Sequence, residues 1–354
     1  MPAFAGPPDF ATVATHKDGP TGTARNEEET PMTHRIAAAF AAFALAFAGG
    51  ALAQAWPNKP IKWINPFPAG GGTDAFARPL AAKLTTALGQ TVFIENLGGA
   101  GGTVGAGTAS KAAPDGYTFF VGAIHHTIAE SLYSKLPYNG IEKDFEPVTV
   151  IAYVPNVVSL HPKHDFKSLQ DLITYAKANP GKLNFGSAGN GTSHHLVGEL
   201  FKSLSGTSLT HVPYRGAGPL MQDLLAGNVD LAFDGMGTSA PQIKAGKLRA
   251  LAVTSETRSP VAPNVPTMVE SGFPTFKVTT WYGVWAIKGT PKEIVDRMHA
   301  ELVKAMALPD VKGIWDMQGA TAGGQSPADF AKFIRGEIET WGKVVKQANL
   351  KIDL

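Results

Sequence analysis

Three stretches of this sequence combine small residues with hydroxyls where a strand gives way to a helix. They are Pro66-Phe67-Pro68-Ala69-Gly70-Gly71-Gly72-Thr73-Asp74, Gly186-Ser187-Ala188-Gly189-Asn190-Gly191-Thr192-Ser193 and Tyr214-Arg215-Gly216-Ala217-Gly218. Glycine lets a ligand approach the main chain closely. The helix start beyond it offers unpaired N–H groups and roughly half a positive charge, which suits a carboxylate or another anion. One such loop alone reads as an ordinary tight turn. Ser187, Thr192 and Ser193 add hydroxyls to the second loop and move that one toward binding.

The candidate ligand residues are therefore Phe67, Ala69, Gly70, Gly71, Thr73 and Asp74 from the first loop, and Ser187, Gly189, Thr192 and Ser193 from the second. Tyr214 and Arg215 come from the third, joined by His126 and Asp234. Several of these have a second reading. His125-His126 follows a strand ending at Gly122, so one ring can face a cleft, or both can be structural. Asp234 can bond a ligand hydroxyl or ammonium, or tie down neighbouring loop N–H groups. Arg215 can neutralise a carboxylate or form a surface ion pair. Arg78, a full turn inside a helix, reads as structural. Trp281 and Tyr282 read as core or hinge packing, with a cleft-lining role as the lesser alternative. Bulk at Gly71 is expected to occupy the space a carboxylate needs.

Enzyme motifs come close and fail. Gly99-Ala100-Gly101-Gly102-Thr103-Val104-Gly105 would need glycine at position 104 to be a dinucleotide fingerprint. Gly186-Ser187-Ala188-Gly189 is one residue short of a nucleophile elbow, because Phe185 stands where glycine is required. His194 and His195 are adjacent, so on a helix they point about 100° apart and cannot clamp one metal. No catalytic residue, metal or cofactor is expected.

The elements that must hold these loops alternate strand with helix, the pattern of a parallel α/β sheet. Strands are expected at 61–65, 92–96 and 117–122, then at 183–185, 209–212, 229–233 and 248–253. The first helix is expected to start at Thr73 or Asp74, to bury Phe76, Leu80, Leu84 and Leu88, and to stop at Gly89. Phe145–Leu160 is long enough to leave one domain and enter another, and Thr279–Ala286 is a candidate return crossing. Ser168 opens a helix ending at Asn179. Thr290-Pro291-Lys292-Glu293 reads as a capping box with proline at the first helical position. A last helix is expected from Pro327 to Gln347.

The N-terminal region reads differently. Residues 1–31 are polar and lack a hydrophobic period, as in an over-extended reading frame that leaves Met32 as the true start. His34-Arg35, the apolar run Ile36–Phe47 and Ala53-Gln54-Ala55 make a secretory signal at 32–55, cleaved after Ala55 or, second choice, Ala53. The run is too short to span roughly 30 Å of hydrocarbon. Lobe I is expected at 56–155 and 280–354, and lobe II at 156–279. With no cysteine in 354 residues, disulfides and zinc–thiolate sites are excluded. A net charge of +2 with scattered basic residues argues against nucleic acid as a partner.

Further motifs run in order along the chain. They are Trp56-Pro57-Asn58-Lys59-Pro60-Ile61, Pro68–Asp74 with Ala77-Arg78, Glu95-Asn96 before Gly98–Gly102, and Pro114-Asp115-Gly116-Tyr117. Gly186–Thr192 with His195-Leu196, His211–Gly216, Asp230–Asp234 and Trp281-Tyr282-Gly283 before Gly289-Thr290-Pro291 complete the set. In these the chain from Trp56 to Leu354 resembles the Bug-type substrate-binding proteins of tripartite tricarboxylate transporters. The resemblance implies an α/β, two-lobed periplasmic binding protein fold, type II-like, with two crossing segments and a ligand cleft between the lobes. It implies a monomer that captures a small organic carboxylate and docks to membrane permease subunits, one large and one small. The loops 67–74 and 187–193 are the clamps it implies. Two departures bear on the ligand's distal end: His126-Thr127-Ile128-Ala129-Glu130 replaces the usual His-Ala-Ile-Asn-Pro, and Arg215 stands where lysine is more usual. The alternatives are a secreted α/β hydrolase using Ser187 with His194 or His195, and a ligand-binding protein serving a sensor kinase.

Overall fold

The computed structural model describes residues 56–347 and 350–351; the expected extension and signal peptide lie outside the described residues. The chain opens with strand β1 (Ile61–Asn65), whose Ile61, Trp63 and Ile64 are buried. Helix α1 (Gly72–Leu88) follows and buries Phe76, Leu80, Leu84 and Leu88, the helical stripe read from the sequence. It ends at Gly89 in the left-handed conformation. Its start differs from expectation. Gly71 is the N-cap, no side chain caps the helix, and Thr73 and Asp74 lie within the first turn.

Strands β2 (Val92–Asn96) and β3 (Thr118–Ala123) flank β1, both parallel to it. Between them lies helix α2 (Thr103–Ala109), and after β3 come α3 (His125–Leu132) and the single turn α4 (Ile141–Asp144). The long strand β4 (Phe145–Leu160) then changes partners partway along. Up to Pro155 it pairs antiparallel with β9 (Thr279–Ile287), and from Asn156 it pairs antiparallel with β7 (Leu231–Gly235) and β8 (Arg249–Val253). Proline at 155 supplies no N–H to a ladder, which suits the point where one set of partners gives way to another.

The second half of the sheet continues through β5 (Asn184–Ser187) and β6 (Thr210–Pro213), parallel to each other, with β5 also parallel to β7. Helices α5 (Leu169–Ala178), α6 (Ser193–Ser205), α7 (Ala217–Ala226) and α8 (Met236–Lys244) connect these strands. The chain closes with α9 (Lys292–Met306), α10 (Pro309–Asp316), a short strand β10 (Thr321–Ala322) against β4, and α11 (Pro327–Gln347).

The strand order is β2-β1-β3-β9-β4-β7-β5-β6. The parallel reading holds for the outer three strands of each half and fails for β4 and β9. A 25-residue stretch separates β8 from β9, so no helical crossover constrains the direction in which β9 returns. The capping box at Thr290 also does not form: its hydroxyl donates to the Ile287 carbonyl at 2.7 Å, and Pro291 becomes the N-cap of α9. Ser168, by contrast, caps α5 in a complete capping box with Asp171.

Candidate ligand-binding site

Four helix N-termini meet at one cavity. Gly71, Gly72 and Thr73 bring the start of α1, and His125 the start of α3. Thr192, Ser193 and His194 bring the start of α6, and Ala217 the start of α7. Thr280 and Tyr282 from β9, with Phe67 and Ala188, complete the lining. Thr280 and Tyr282 are two apart on a strand, so they share a face. The cavity holds about 30 Å³. That is room for a water or two, so entry of an organic acid requires the two halves to part.

An outer pocket of about 200 Å³ adjoins it, with Phe67 and Ala188 common to both. Gly99, Ala100, Gly101, Gly189, Asn190, Pro213, Tyr214 and Arg215 form its walls. Between the halves, Tyr133 donates its hydroxyl to the Asn190 carbonyl at 2.9 Å, and Thr280 donates to Ser193 Oγ at 3.1 Å. Gly101 leaves room for that closure: a Cβ there would sit 2.3 Å from the Asn190 oxygen.

The sequence-derived candidates sort accordingly. Phe67, Gly71, Thr73, Thr192 and Ser193 line the inner cavity. Phe67, Gly189, Tyr214 and the exposed Arg215 line the outer pocket. The Tyr214 hydroxyl is already engaged, donating to Asp223 at 2.7 Å. Ala69 and Gly70 are exposed beyond both.

Asp74 is a brace. It accepts from the Gly70 N–H at 3.0 Å, from Arg78 at 2.9 and 2.6 Å, and from Asn96 Nδ2 at 3.1 Å. Burial pushes its pKa up, but the bonds from Arg78, the Gly70 N–H and Asn96, with the Arg78 charge, outweigh that and hold it below the usual value. Arg78 is thus structural, as its place in the helix suggests. Asp74→Ala should destabilise the protein by about 1–3 kcal/mol, since several part-buried hydrogen bonds to its charged carboxylate are lost. Urea unfolding at neutral pH measures this, and an unchanged midpoint would refute the bracing role.

His126 turns away from the cavity. Its Nδ1 lies 3.1 Å from the Ala123 N–H and carbonyl, its Nε2 3.5 Å from the Gly102 carbonyl, and its ring meets Phe120 edge-on. His125 lines the cavity instead, with its ring edge-on to Phe67 at 4.7 Å. Asp234 lies behind the cavity wall, fully buried, and accepts from the hydroxyls of Thr238 and Ser239 rather than from loop N–H groups.

Ser187 is fully buried and outside the lining. Its hydroxyl contacts neither His194 nor His195 but lies 2.7 Å from His211 Nε2, while the Gly189 N–H donates to it at 3.1 Å. His211 in turn stacks on His195 with centroids 4.1 Å apart. Burial drives the His211 pKa down to about 3, so this ring stays neutral. A serine sealed from the cavity does not attack a ligand in it, which removes the structural basis for the hydrolase alternative. Among the described residues, no cluster of His, Asp or Glu could hold a metal ion.

The sequence places Gly72, Ala188 and Ala217 in the site-forming loops without naming them as ligand residues, and does not point to Thr280. It leaves open which of His125 and His126 faces the cleft, gives Tyr282 a cleft role as the lesser alternative, and considers His194 only for metal or hydrolase chemistry. The period-two face of β9 was the available signal for Thr280 and Tyr282. For His194 it was the place next to the hydroxyls of α6.

A two-lobed α/β molecule whose helix starts face one interlobe cavity belongs to the class of periplasmic-type binding proteins. The comparisons make the family definite. Residues 76–350 match the family model described as the tripartite tricarboxylate transporter family receptor, and the chain belongs to that family. The protein BugT of Bordetella pertussis is 38% identical, over 85% of this chain and 92% of that one. A Rhodopseudomonas palustris protein solved with adipate is 37% identical with a TM-score of 0.81, covering 84% of this chain and 100% of that one. MatC of Rhodopseudomonas palustris, solved with bound malate, is 34% identical with a TM-score of 0.79, covering 82% and 100%. Family and neighbours are binding proteins, and this chain is one rather than an enzyme.

Proposed function

We propose that this protein captures a small organic carboxylate in the periplasm, between two lobes, and delivers it to the membrane permease of a tripartite tricarboxylate-type transporter. One observation carries the reading: four helix N-termini face a cavity whose lining has no lysine, arginine, aspartate or glutamate. The partial charges of unpaired N–H groups attract an anion there although no permanently charged side chain stands in the wall. The adipate and malate named for two relatives support a carboxylate as the ligand class. The change of partners along β4 between Pro155 and Asn156 supports lobes at 56–155 with 280–354 and at 156–279. Residues 32–55 would act as the export signal, and the receptor would work as a monomer.

Calorimetry with malate and adipate tests the reading, preceded by a thermal-shift screen of mono-, di- and tricarboxylates. A ligand at 100-fold its Kd should stabilise the protein by about 2.7 kcal/mol. Ser193→Ala removes a hydroxyl of the cavity wall and should cost about 1.5–3 kcal/mol in binding, roughly tenfold to over a hundredfold in Kd. Arg215→Gln, in the exposed outer pocket, should cost less. Loss of binding in Arg215→Gln with normal binding in Ser193→Ala would mean that a charge pair holds the anion. No response to any carboxylate would overturn the reading itself.

A further inference from the structure

Two imidazoles line the inner cavity from opposite halves, and neither has the partners a buried ring nitrogen needs. His125, at the start of α3, has its Nε2 buried with no hydrogen-bond partner. His194, in the first turn of α6, has its Nδ1 buried and unpartnered. Facing that nitrogen is Asp234 Oδ1, itself buried and unpartnered, 3.6 Å away. That separation is too long for a hydrogen bond. Native proteins rarely leave three such atoms unsatisfied around one cavity. The arrangement looks incomplete until something charged enters.

We propose that His194 takes up one proton as the carboxylate enters, so that the ligand is held by an imidazolium with Asp234 behind it and its affinity rises as pH falls. This rests on the carboxylate-receptor reading above. In the bound state the His194 ring lies between two anions: Asp234 on the Nδ1 side and the ligand in the cavity. Each favours the charged ring, and the proton comes from solvent. His125 stays neutral, because two imidazolium rings sharing so small a cavity would repel. Its unpartnered Nε2 is free to serve the ligand as a hydrogen-bond partner.

The charged and titratable surroundings agree. Around His125 stand His126 on its own helix and His194 from α6; around His194 stand Asp234 from β7 and His125 from α3. Tyr282 from β9 lines the same cavity and stays protonated, since burial and Asp234 both raise its pKa. Asp74 on α1 is committed to Arg78. Without ligand, burial lowers the pKa of His194 more than Asp234 raises it, and burial with the two neighbouring rings lowers that of His125 well below the usual value. An empty site therefore holds neutral rings, and the arriving anion supplies what tips His194.

The sign follows from linkage. A ring that is neutral when the site is empty and charged when it is filled tightens binding as pH falls. The limit is about tenfold per pH unit for one proton, levelling off once the empty site is protonated too. The experiment is calorimetry with adipate or malate, whichever binds more tightly, from roughly pH 6 to 8.5, where carboxyls near their usual pKa of about 4 stay ionised. Runs in buffers of different ionisation heat count the protons taken up. Wild type should bind more tightly toward pH 6 and take up a fraction of a proton that approaches one. His194→Gln should bind more weakly and lose both the slope and the uptake; His125→Gln should bind more weakly and keep the slope. Zero uptake by wild type would overturn the proposal whether or not the variants fold. So would a slope that survives in His194→Gln. Tight but pH-independent binding would sink the proton link and spare the receptor reading, whereas no binding at any pH would remove both.

Discussion

Replacing Gly72 with valine should abolish carboxylate binding, with a loss of at least about a hundredfold, or roughly 2.7 kcal/mol. Gly72 is the first residue of α1, and a Cβ built on it would lie 2.2 Å from the Tyr282 hydroxyl and 3.0 Å from its ring carbon Cζ. No real Cβ tolerates such a contact, so the loop or the tyrosine must move. Tyr282 cannot easily retreat, because it is 5% exposed and stacked on Phe76 with centroids 5.1 Å apart. Displacement of either partner falls on a cavity of only about 30 Å³. Crowding of this kind also costs about 1–3 kcal/mol of stability. Gly71 makes the contrast, since its Cβ would meet only the Pro68 carbonyl at 3.4 Å, an ordinary contact. Gly71→Ala should therefore bind within about tenfold of wild type, a difference of roughly 1.4 kcal/mol. Adding Tyr282→Phe to Gly72→Ala removes the clashing oxygen and should restore part of the affinity lost by Gly72→Ala alone. Calorimetry on these variants decides it, and normal binding by Gly72→Val would show that the first loop does not shape the cavity.

The contrast between those two glycines marks how far the sequence could be read. Glycine and hydroxyl spacing located the three loops, but only packing reveals which glycine has a tyrosine against it, because that tyrosine is 210 residues further on. Elements with a strong period were legible: the apolar stripe of α1, the capping box of α5 and the extent of α11 stand where the pattern puts them. Strands β5 and β7 run further than expected because pairing continues into Gly186-Ser187 and Asp234-Gly235, residues that read as loop. Helix α3 was not expected, since His125-His126-Thr127 has no apolar period; its buried face is set by packing against α11. Strand direction was equally hidden. The long apolar stretches of β4 and β9 look the same whether their neighbours run parallel or antiparallel. The candidates that stand outside the inner cavity lining include three with one thing in common. Asp74, Ser187 and Asp234 carry the right chemistry for a ligand, but Arg78, His211 and the hydroxyls of Thr238 and Ser239 claim them first.

Without ligand, the protein should lose stability as pH falls from about 6.5 toward 5, above the range in which ordinary carboxyls titrate; Glu130 and Glu337, whose pKa values burial raises, oppose the loss in part. The cause is a set of histidines that the fold keeps neutral. Burial lowers the pKa of His126 to about 4, against weaker opposing bonds to Ala123 and Gly102. Burial lowers His125 well below the usual value, with His126 and His194 adding to the effect, and it also lowers His194 and His195. Above about pH 6.5 such a ring is neutral in both the folded and unfolded states, so it does not bias the equilibrium. Below that, the unfolded chain binds a proton that the folded protein refuses, and stability falls by about 1.4 kcal/mol per pH unit for each ring. The loss for His126 ends near its folded value of about 4. At pH 5 it amounts to roughly 2 kcal/mol, and His125 adds a loss in the same direction. Against a typical total stability of about 5–15 kcal/mol, two such rings alone make a visible decline. Asp74 and Asp230, whose pKa values are lowered despite burial by bonds from Arg78 and from His164 and Lys163, contribute losses only below about pH 4. The two windows are therefore separable. Urea unfolding of the ligand-free protein between pH 7.5 and 5 should show the midpoint falling from about pH 6.5 downward. His126→Gln should be less stable at neutral pH yet lose about 2 kcal/mol less over that span. A midpoint that stays level from pH 7.5 to 5 would mean that these rings already share protons with buried partners, and that the cavity wall is not the neutral surface its geometry describes.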